Sequence, residues 1–293
     1  MTWVSNIVAM SQDPISEKFA HENGLNRLFS DSDLERASKL DQIVILDDKK
    51  AYPAGWFTKE PYPIEWLDLS RLYALIRTRH VISAMEFGCG YSTVVMAYGL
   101  ACNERDDGSY VRDSLRRTNP YQLNVVDDME SYIDLTTGRL GSDLRVRVTF
   151  QHSPVRMTTF GGRICTEYET MPNTCPDLIY LDGPDQHYVQ GDINGISTRA
   201  LDRMPMSCDI LKIEHFLLPG TLIVTDGRTA NARFLAANFQ REWRHEHDEE
   251  GDVHYFELIE EPIGKWNRRQ IEFCLGADWR SKPLRPDLSK VPR

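Results

Sequence analysis

The sequence predicts an α/β fold built on a doubly wound, mostly parallel sheet, and three observations predict it. An apolar run over residues 81–87 leads through Gly88-Cys89-Gly90 into a second apolar run from Thr93, the pattern of a buried strand, a tight turn and a helix. Two later apolar runs stop in the same way at an acid followed by a glycine, Asp182-Gly183 and Asp226-Gly227. Near the C-terminus, residues 242–247 and 253–259 are strand-like and flank Asp248-Glu249-Glu250-Gly251-Asp252, which reads as an antiparallel hairpin.

A chain of 293 residues with 41% hydrophobic side chains can fill the core of one large domain with embellishments. Its formal charge of −10 opposes non-specific binding to a phosphate backbone, so nucleic acid is not the expected partner. The six cysteines show no paired Cys-x-x-Cys spacing, which speaks against a zinc site and a disulfide framework and for a reducing compartment. No stretch reaches the roughly 20 apolar residues of a membrane span. The first residues lack the basic start and apolar core of a signal peptide, and a cytoplasmic location is expected.

In chain order, residues 1–62 form an N-terminal extension, in which Ser30-Asp31-Ser32-Asp33-Leu34-Glu35 looks like a capped helix start. The stretch 51–66 is rich in proline and aromatics, and its side chains Trp56 and Tyr62 suit either an ordered loop or the wall and lid of a substrate pocket. Residues 63–275 make the main domain, opening with an amphipathic helix whose Trp66, Leu69, Leu72, Tyr73 and Ile76 recur at helical spacing. Residues 103–121 are highly charged and read as an exposed insertion. A strand at 123–126 ends in Asp127-Asp128, and residues 144–150 alternate like a strand near the sheet edge. Helices are expected at 210–218 and 231–240, a short strand or packing segment at 271–275, and a solvated arm or subunit contact in the tail 276–293.

Gly88 and Gly90 let the chain turn sharply and let a ligand lie against the backbone. The spacing Gly-x-Gly-x-x-Thr lacks the third glycine of the dinucleotide fingerprint, and Glu86 puts negative charge where a pyrophosphate would sit. An acid there suits a ligand carrying an amine. The run Glu86-Phe87-Gly88-Cys89-Gly90-Tyr91-Ser92-Thr93 resembles the first motif of the class I S-adenosylmethionine-dependent methyltransferases, in particular the Gly-x-Gly-Tyr-Ser-Thr branch. Val125-Val126-Asp127-Asp128-Met129-Glu130 resembles their second motif, and the runs ending at Asp182 and Asp226 resemble later ones.

The resemblance implies a Rossmann-like seven-stranded sheet with the C-terminal hairpin, and S-adenosylmethionine as cofactor. It implies a donor site of Glu86, Gly88, Cys89, Gly90, Ser92, Thr93 and Asp182, with Asp127 at a surface-reaching strand end on the ribose, or Asp128 in its place. His152 and Ser153 would lie by the adenine. The expected reaction is methylation of a hydroxyl on a small molecule or a sugar of a glycan. Asp182 or His187 would be the general base, or Asp182 and Asp226, with Asp185 or Asn231, would hold magnesium. The pattern departs from metal-dependent relatives in placing Gly227-Arg228 after Asp226. Arg228 could pair with an anionic group of substrate or donor, or with Asp182 or Asp226. Aminopropyl transfer on the same scaffold, which would call for an acid-lined acceptor pocket, a nicotinamide-dependent oxidoreductase and a non-catalytic nucleoside-binding protein are the alternatives. A homo-oligomer is left open.

Overall fold

The structure is a computed structural model that describes residues 14–37, 64–200 and 203–292. Its strands are β1 (Ser83–Phe87), β2 (Gln122–Asp127), β3 (Val148–His152), β4 (Val155–Phe160), β5 (Arg163–Tyr168), β6 (Leu178–Leu181), β7 (Leu222–Asp226), β8 (Trp243–Asp248) and β9 (Val253–Leu258). Its helices are α1 (Pro14–Glu22), α2 (Asp31–Ala37), α3 (Trp66–Thr78), α4 (Tyr91–Ser114), α5 (Glu130–Arg139), α6 (Ser142–Arg145), α7 (Asp209–Ile213), α8 (Thr229–Ala236) and α9 (Gly264–Cys274).

Seven strands form one sheet in the order β3-β2-β1-β6-β7-β9-β8. β1 pairs in parallel with β2 and β6, and β6 with β7, while β9 runs antiparallel to both β7 and β8. The central strands are apolar on both faces because helices cover both. Ala84, Tyr180, Val224 and Tyr255 pack under Leu72 and Ile76 of α3 and Val94 and Val95 of α4. On the other face Met85, Phe87, Ile179 and Ile223 meet Ile210 and Leu211 of α7 and Ala232 and Leu235 of α8. The strand order reverses between β1 and β6, so the crevice for a ligand opens at the carboxyl ends of those two strands.

Three expectations change, and one hairpin is added. The charged stretch after the glycine turn is no insertion: α4 continues through it to Ser114, because its polar residues find partners on α3 and beyond. Asn103 is wholly buried and its Nδ2 donates to the carbonyls of Ile76 and Val81, while Arg77 pairs with Asp106 at 2.7 Å. Between β3 and β6 stands a separate antiparallel hairpin, β4–β5, turned by Gly161 and Gly162 at φ 55° and 77°. Residues 271–275 belong to the end of α9 rather than to a strand. The tail folds back on the domain, with Trp279 and Leu284 buried and Leu284 N–H donating to Glu246 Oε2 at 3.1 Å.

Of the N-terminal extension, α1 and α2 lie against α3 and α4: Ser70 Oγ donates to the Ser16 carbonyl at 3.1 Å, and Phe19 meets Tyr73 edge-on at 6.2 Å. Trp56 and Tyr62 lie outside the described residues.

Candidate active site

The turn after β1 is held from below. Glu86 is fully buried, and its two carboxylate oxygens accept the hydroxyls of Ser92 and Thr93, at 2.5 and 2.6 Å. Burial pushes its carboxyl up to about 8, against the pull of those two hydroxyls. Glu86, Ser92 and Thr93 therefore bind one another: the acid anchors the first turn of α4 and does not face a ligand's amine. Thr93 Oγ1 also receives the Gly90 N–H at 3.1 Å. Gly88 adopts φ 87°, and a Cβ on it would stand 3.0 Å from the Gly183 nitrogen, so the turns after β1 and β6 touch backbone to backbone. Among the described residues a Cβ on Gly90 would meet nothing within 4 Å, which leaves that side of the turn open to a ligand.

Asp127 is 3% exposed rather than surface-reaching. Its Oδ2 accepts the Cys89 N–H and its Oδ1 the Met129 N–H, both at 2.7 Å, so it clamps the β1 and β2 turns together. Burial raises its carboxyl and these two donors pull it back. Asp128 is half-buried; among the described residues its Oδ2 is shielded from water without a hydrogen-bond partner, while the backbone N–H groups of Asp128 and Asp185 favour its ionised form. Burial, and next the charge of Asp127, push its carboxyl up to about 7. His152 is exposed, with Nε2 3.2 Å from the Asp128 carbonyl. Ser153 is fully buried, and its Oγ accepts the Thr170 N–H at 2.9 Å, which ties the base of the β4–β5 hairpin instead of facing the crevice.

At the ends of β6 and β7 each acid has a guanidinium beside it. Arg228 donates to the main-chain carbonyl of Asp182 and, at 3.1 Å, to that of Pro184, and its Nε lies 3.6 Å from Asp182 Oδ1. Asp226 Oδ2 accepts the Tyr180 hydroxyl at 2.8 Å, and its Oδ1 lies 3.9 Å from Arg71 Nη1. The same Arg71 nitrogen donates to Asp68 Oδ1 at 2.9 Å. With a guanidinium beside each acid and a phenol on one, Asp182 and Asp226 do not fit a magnesium site. No group of three or more His, Cys, Asp or Glu side chains suited to a metal comes together among the described residues. Asn231 is buried, and its amide is bonded to the Ser207 backbone.

Glu65 and Asp68, at the start of α3, complete this wall, and nothing in the sequence marks them beyond a polar helix face. Burial, then the neighbouring Glu65, push Asp68 up to about 8; burial, then Asp68, push Asp226 up to about 7. The Asp182 side chain keeps 55% of its surface, yet the crevice walls desolvate it and raise it towards about 7, with Arg228 opposing and Asp226 adding to the rise. That push acts in full once a ligand replaces the water over it. His187 lies in the loop beyond Asp182, its N–H donated to Asp185 Oδ1 at 2.7 Å.

The seven-stranded, mostly parallel sheet with a final antiparallel pair beside β7 is the architecture that the resemblance of the sequence motifs implies. Neither a protein-family model nor a curated protein sequence matches the chain. Among solved structures it is similar to an O-methyltransferase from Bacillus cereus in complex with SAH, at 15% identity and a TM-score of 0.38, covering 84% of this chain and 100% of that one. It is also similar to the O-methyltransferase TomG from Streptomyces achromogenes, solved with SAM, at 12% identity and a TM-score of 0.41, covering 87% and 100%. Human methyltransferase-like protein 13 in complex with SAH matches at 16% identity and a TM-score of 0.32, covering 74% and 92%. What the site can do follows from its own residues.

Proposed function

We propose that the chain is an S-adenosylmethionine-dependent methyltransferase. The observation that carries the reading is the crevice at the strand-order switch. A glycine turn anchored by Glu86 leaves Gly90 open among the described residues, and the next strand end sets the half-buried acid Asp128 beside it. A nucleoside with an amino-acid arm suits these groups: Asp128 for the ribose hydroxyls, Gly88 and Gly90 for close backbone approach, and the mouth beside Asp182 for the arm. A dinucleotide suits them poorly, because Asp127, Asp128 and Asp182 surround the place a pyrophosphate would take.

The bound donor supplies an electrophilic methyl carbon. The acceptor's oxygen forms the new bond to that carbon as the carbon–sulfur bond breaks, and the acceptor's proton passes to a base. Asp182 is the group proposed for that task, since a carboxyl raised towards neutrality both accepts and releases a proton near pH 7. His187 is the neighbouring candidate. The acceptor proposed is a hydroxyl of a small molecule or a sugar.

A second reading is favoured by one observation, the wall of Glu65, Asp68, Asp182 and Asp226, which among the described residues faces Arg71 and Arg228. An acid-lined crevice suits a cationic acceptor, so an amine is the rival, methylated or aminopropylated from a decarboxylated donor. The primary reading is tested by calorimetry with S-adenosylhomocysteine beside NADH. Micromolar binding of the former alone supports it; no binding, or preference for NADH, removes it.

A further inference from the structure

The stretch Ser30-Asp31-Ser32-Asp33 reads in the sequence as a helix start and nothing more, but in the fold it meets the glycine turn. Asp33 on α2 is only 9% exposed, and its Oδ1 accepts the hydroxyl of Tyr91, the residue directly after Gly90. Arg139, at the end of α5, donates from Nη2 to the same Oδ1 and to Tyr91 Oη, each at 3.3 Å. Its guanidinium also lies over the Tyr91 ring, 4.6 Å from the centroid. Phe29 meets that ring edge-on at 5.3 Å, and Ser30 Oγ donates to Asp33 Oδ2 at 2.7 Å.

Burial alone would raise the Asp33 carboxyl; the hydrogen bonds from Tyr91, Ser30 and Arg139 outweigh it and hold the group below its ordinary value. The ring of Tyr91 could pack against Phe29 without its hydroxyl, so the polar contacts do something packing does not. They fix the rotation of the first turn of α4, which also carries Ser92 and Thr93, the partners of Glu86, and follows the open face of Gly90. Three groups separated by 58 and 106 positions in the chain thus close on the residue beside the proposed donor site.

We propose that Asp33 is a positioning residue for the donor: through Tyr91 and Arg139 it holds the start of α4 in the geometry that binds S-adenosylmethionine, and donor binding in turn tightens the N-terminal segment. The proposal rests on the methyltransferase reading above. The reciprocity is required by linkage, since a contact that favours the bound state must itself be favoured by binding.

The test uses the full chain, S-adenosylhomocysteine as the probe, and the variants Tyr91→Phe, which keeps the ring, and Asp33→Asn, which keeps the size. Calorimetry should show both variants binding about tenfold more weakly, the equivalent of one charge-assisted hydrogen bond. The double variant should be no weaker than the weaker single one, because both remove the same coupling. Hydrogen exchange over residues 31–37 should slow when the probe binds the wild type and stay unchanged in Tyr91→Phe. Variants that bind as tightly as wild type, whatever their melting temperatures, would overturn the proposal while leaving the methyltransferase reading intact, and so would exchange at 31–37 that ignores the probe. A wild type that does not bind the probe sinks both.

Discussion

The carboxylate of Asp127 reaches from the end of β2 to accept the main-chain N–H of Cys89 at 2.7 Å, across the carboxyl ends of two neighbouring parallel strands. With Met129 on its other oxygen, this acid is the rivet of the glycine turn rather than an open ligand contact. Asp127→Ala should therefore cost stability as well as binding. Two partly buried N–H donors lose their charged acceptor, each worth roughly 1 kcal/mol or more, so a loss of about 2 kcal/mol is expected by denaturant unfolding. A variant as stable as wild type would contradict the clamp.

Asp128 should behave in the opposite way. Among the described residues its Oδ2 makes no hydrogen bond, and burial and the charge of Asp127 disfavour the ionised form more than the backbone N–H groups of Asp128 and Asp185 favour it. Asp128→Asn removes that penalty, so the free protein should be as stable as wild type or slightly more so, while affinity for S-adenosylhomocysteine falls about tenfold. Equal loss of stability and affinity would show that Asp128 holds the fold and not the ribose.

The contrast marks where the sequence could be read and where it could not. The strand-turn-helix at Glu86 and the acids closing β2, β6 and β7 were legible because each is a local signal: an apolar run, then a turn residue. The division of labour between Asp127 and Asp128 was not, since adjacent residues at a strand end point to opposite faces and only the turn of β1 decides which one is covered. Glu65 and Asp68 were invisible for a related reason. On an amphipathic helix an acid one turn from a cap looks solvated, and only the packing of α3 beside β7 brings Arg71 between Asp68 and Asp226. The charged stretch of α4 misled because composition alone does not reveal that Asn103 satisfies two buried carbonyls. The β4–β5 hairpin did leave a trace, Gly161-Gly162 between two β-rich runs, the pair a tight hairpin turn demands.

The guanidinium of Arg228 against Asp182, and the Tyr180 hydroxyl on Asp226, bear on metal dependence. Asp226 has both oxygens engaged, and Asp182, though open to solvent, keeps the Arg228 guanidinium beside it, so the pair does not offer the several open oxygen ligands a hard cation needs. Incubation with EDTA followed by desalting should leave S-adenosylhomocysteine affinity and, once an acceptor is found, turnover unchanged. Loss on chelation with recovery on adding magnesium would mean that Arg228 swings away and the acids do coordinate.

Acid should weaken the C-terminal hairpin through His254, a buried imidazole on β9 that is 2% exposed. Its Nδ1 meets His245 Nε2 at 3.0 Å, its Nε2 meets Thr229 Oγ1 at 2.9 Å, and the His247 ring stacks on it at 3.8 Å. Burial, then His247 and His245, depress its value from the ordinary 6.5 to about 4, Arg233 adding slightly and Asp252 opposing. Between those two values the unfolded chain binds the proton and the folded chain does not, so stability rises with pH there. The contribution is complete above the unfolded value and is lost as pH falls towards the folded one. Its size is on the order of 3 kcal/mol, from the separation of the two values. Melting curves from about pH 7 down to about pH 4 should show this decline in the wild type and a shallower one in His254→Gln, whose side chain cannot take up the proton. Equal slopes for the two proteins would place the acid sensitivity elsewhere, in the carboxylates that hold arginines, such as Asp33 with Arg139 and Glu260 with Arg241.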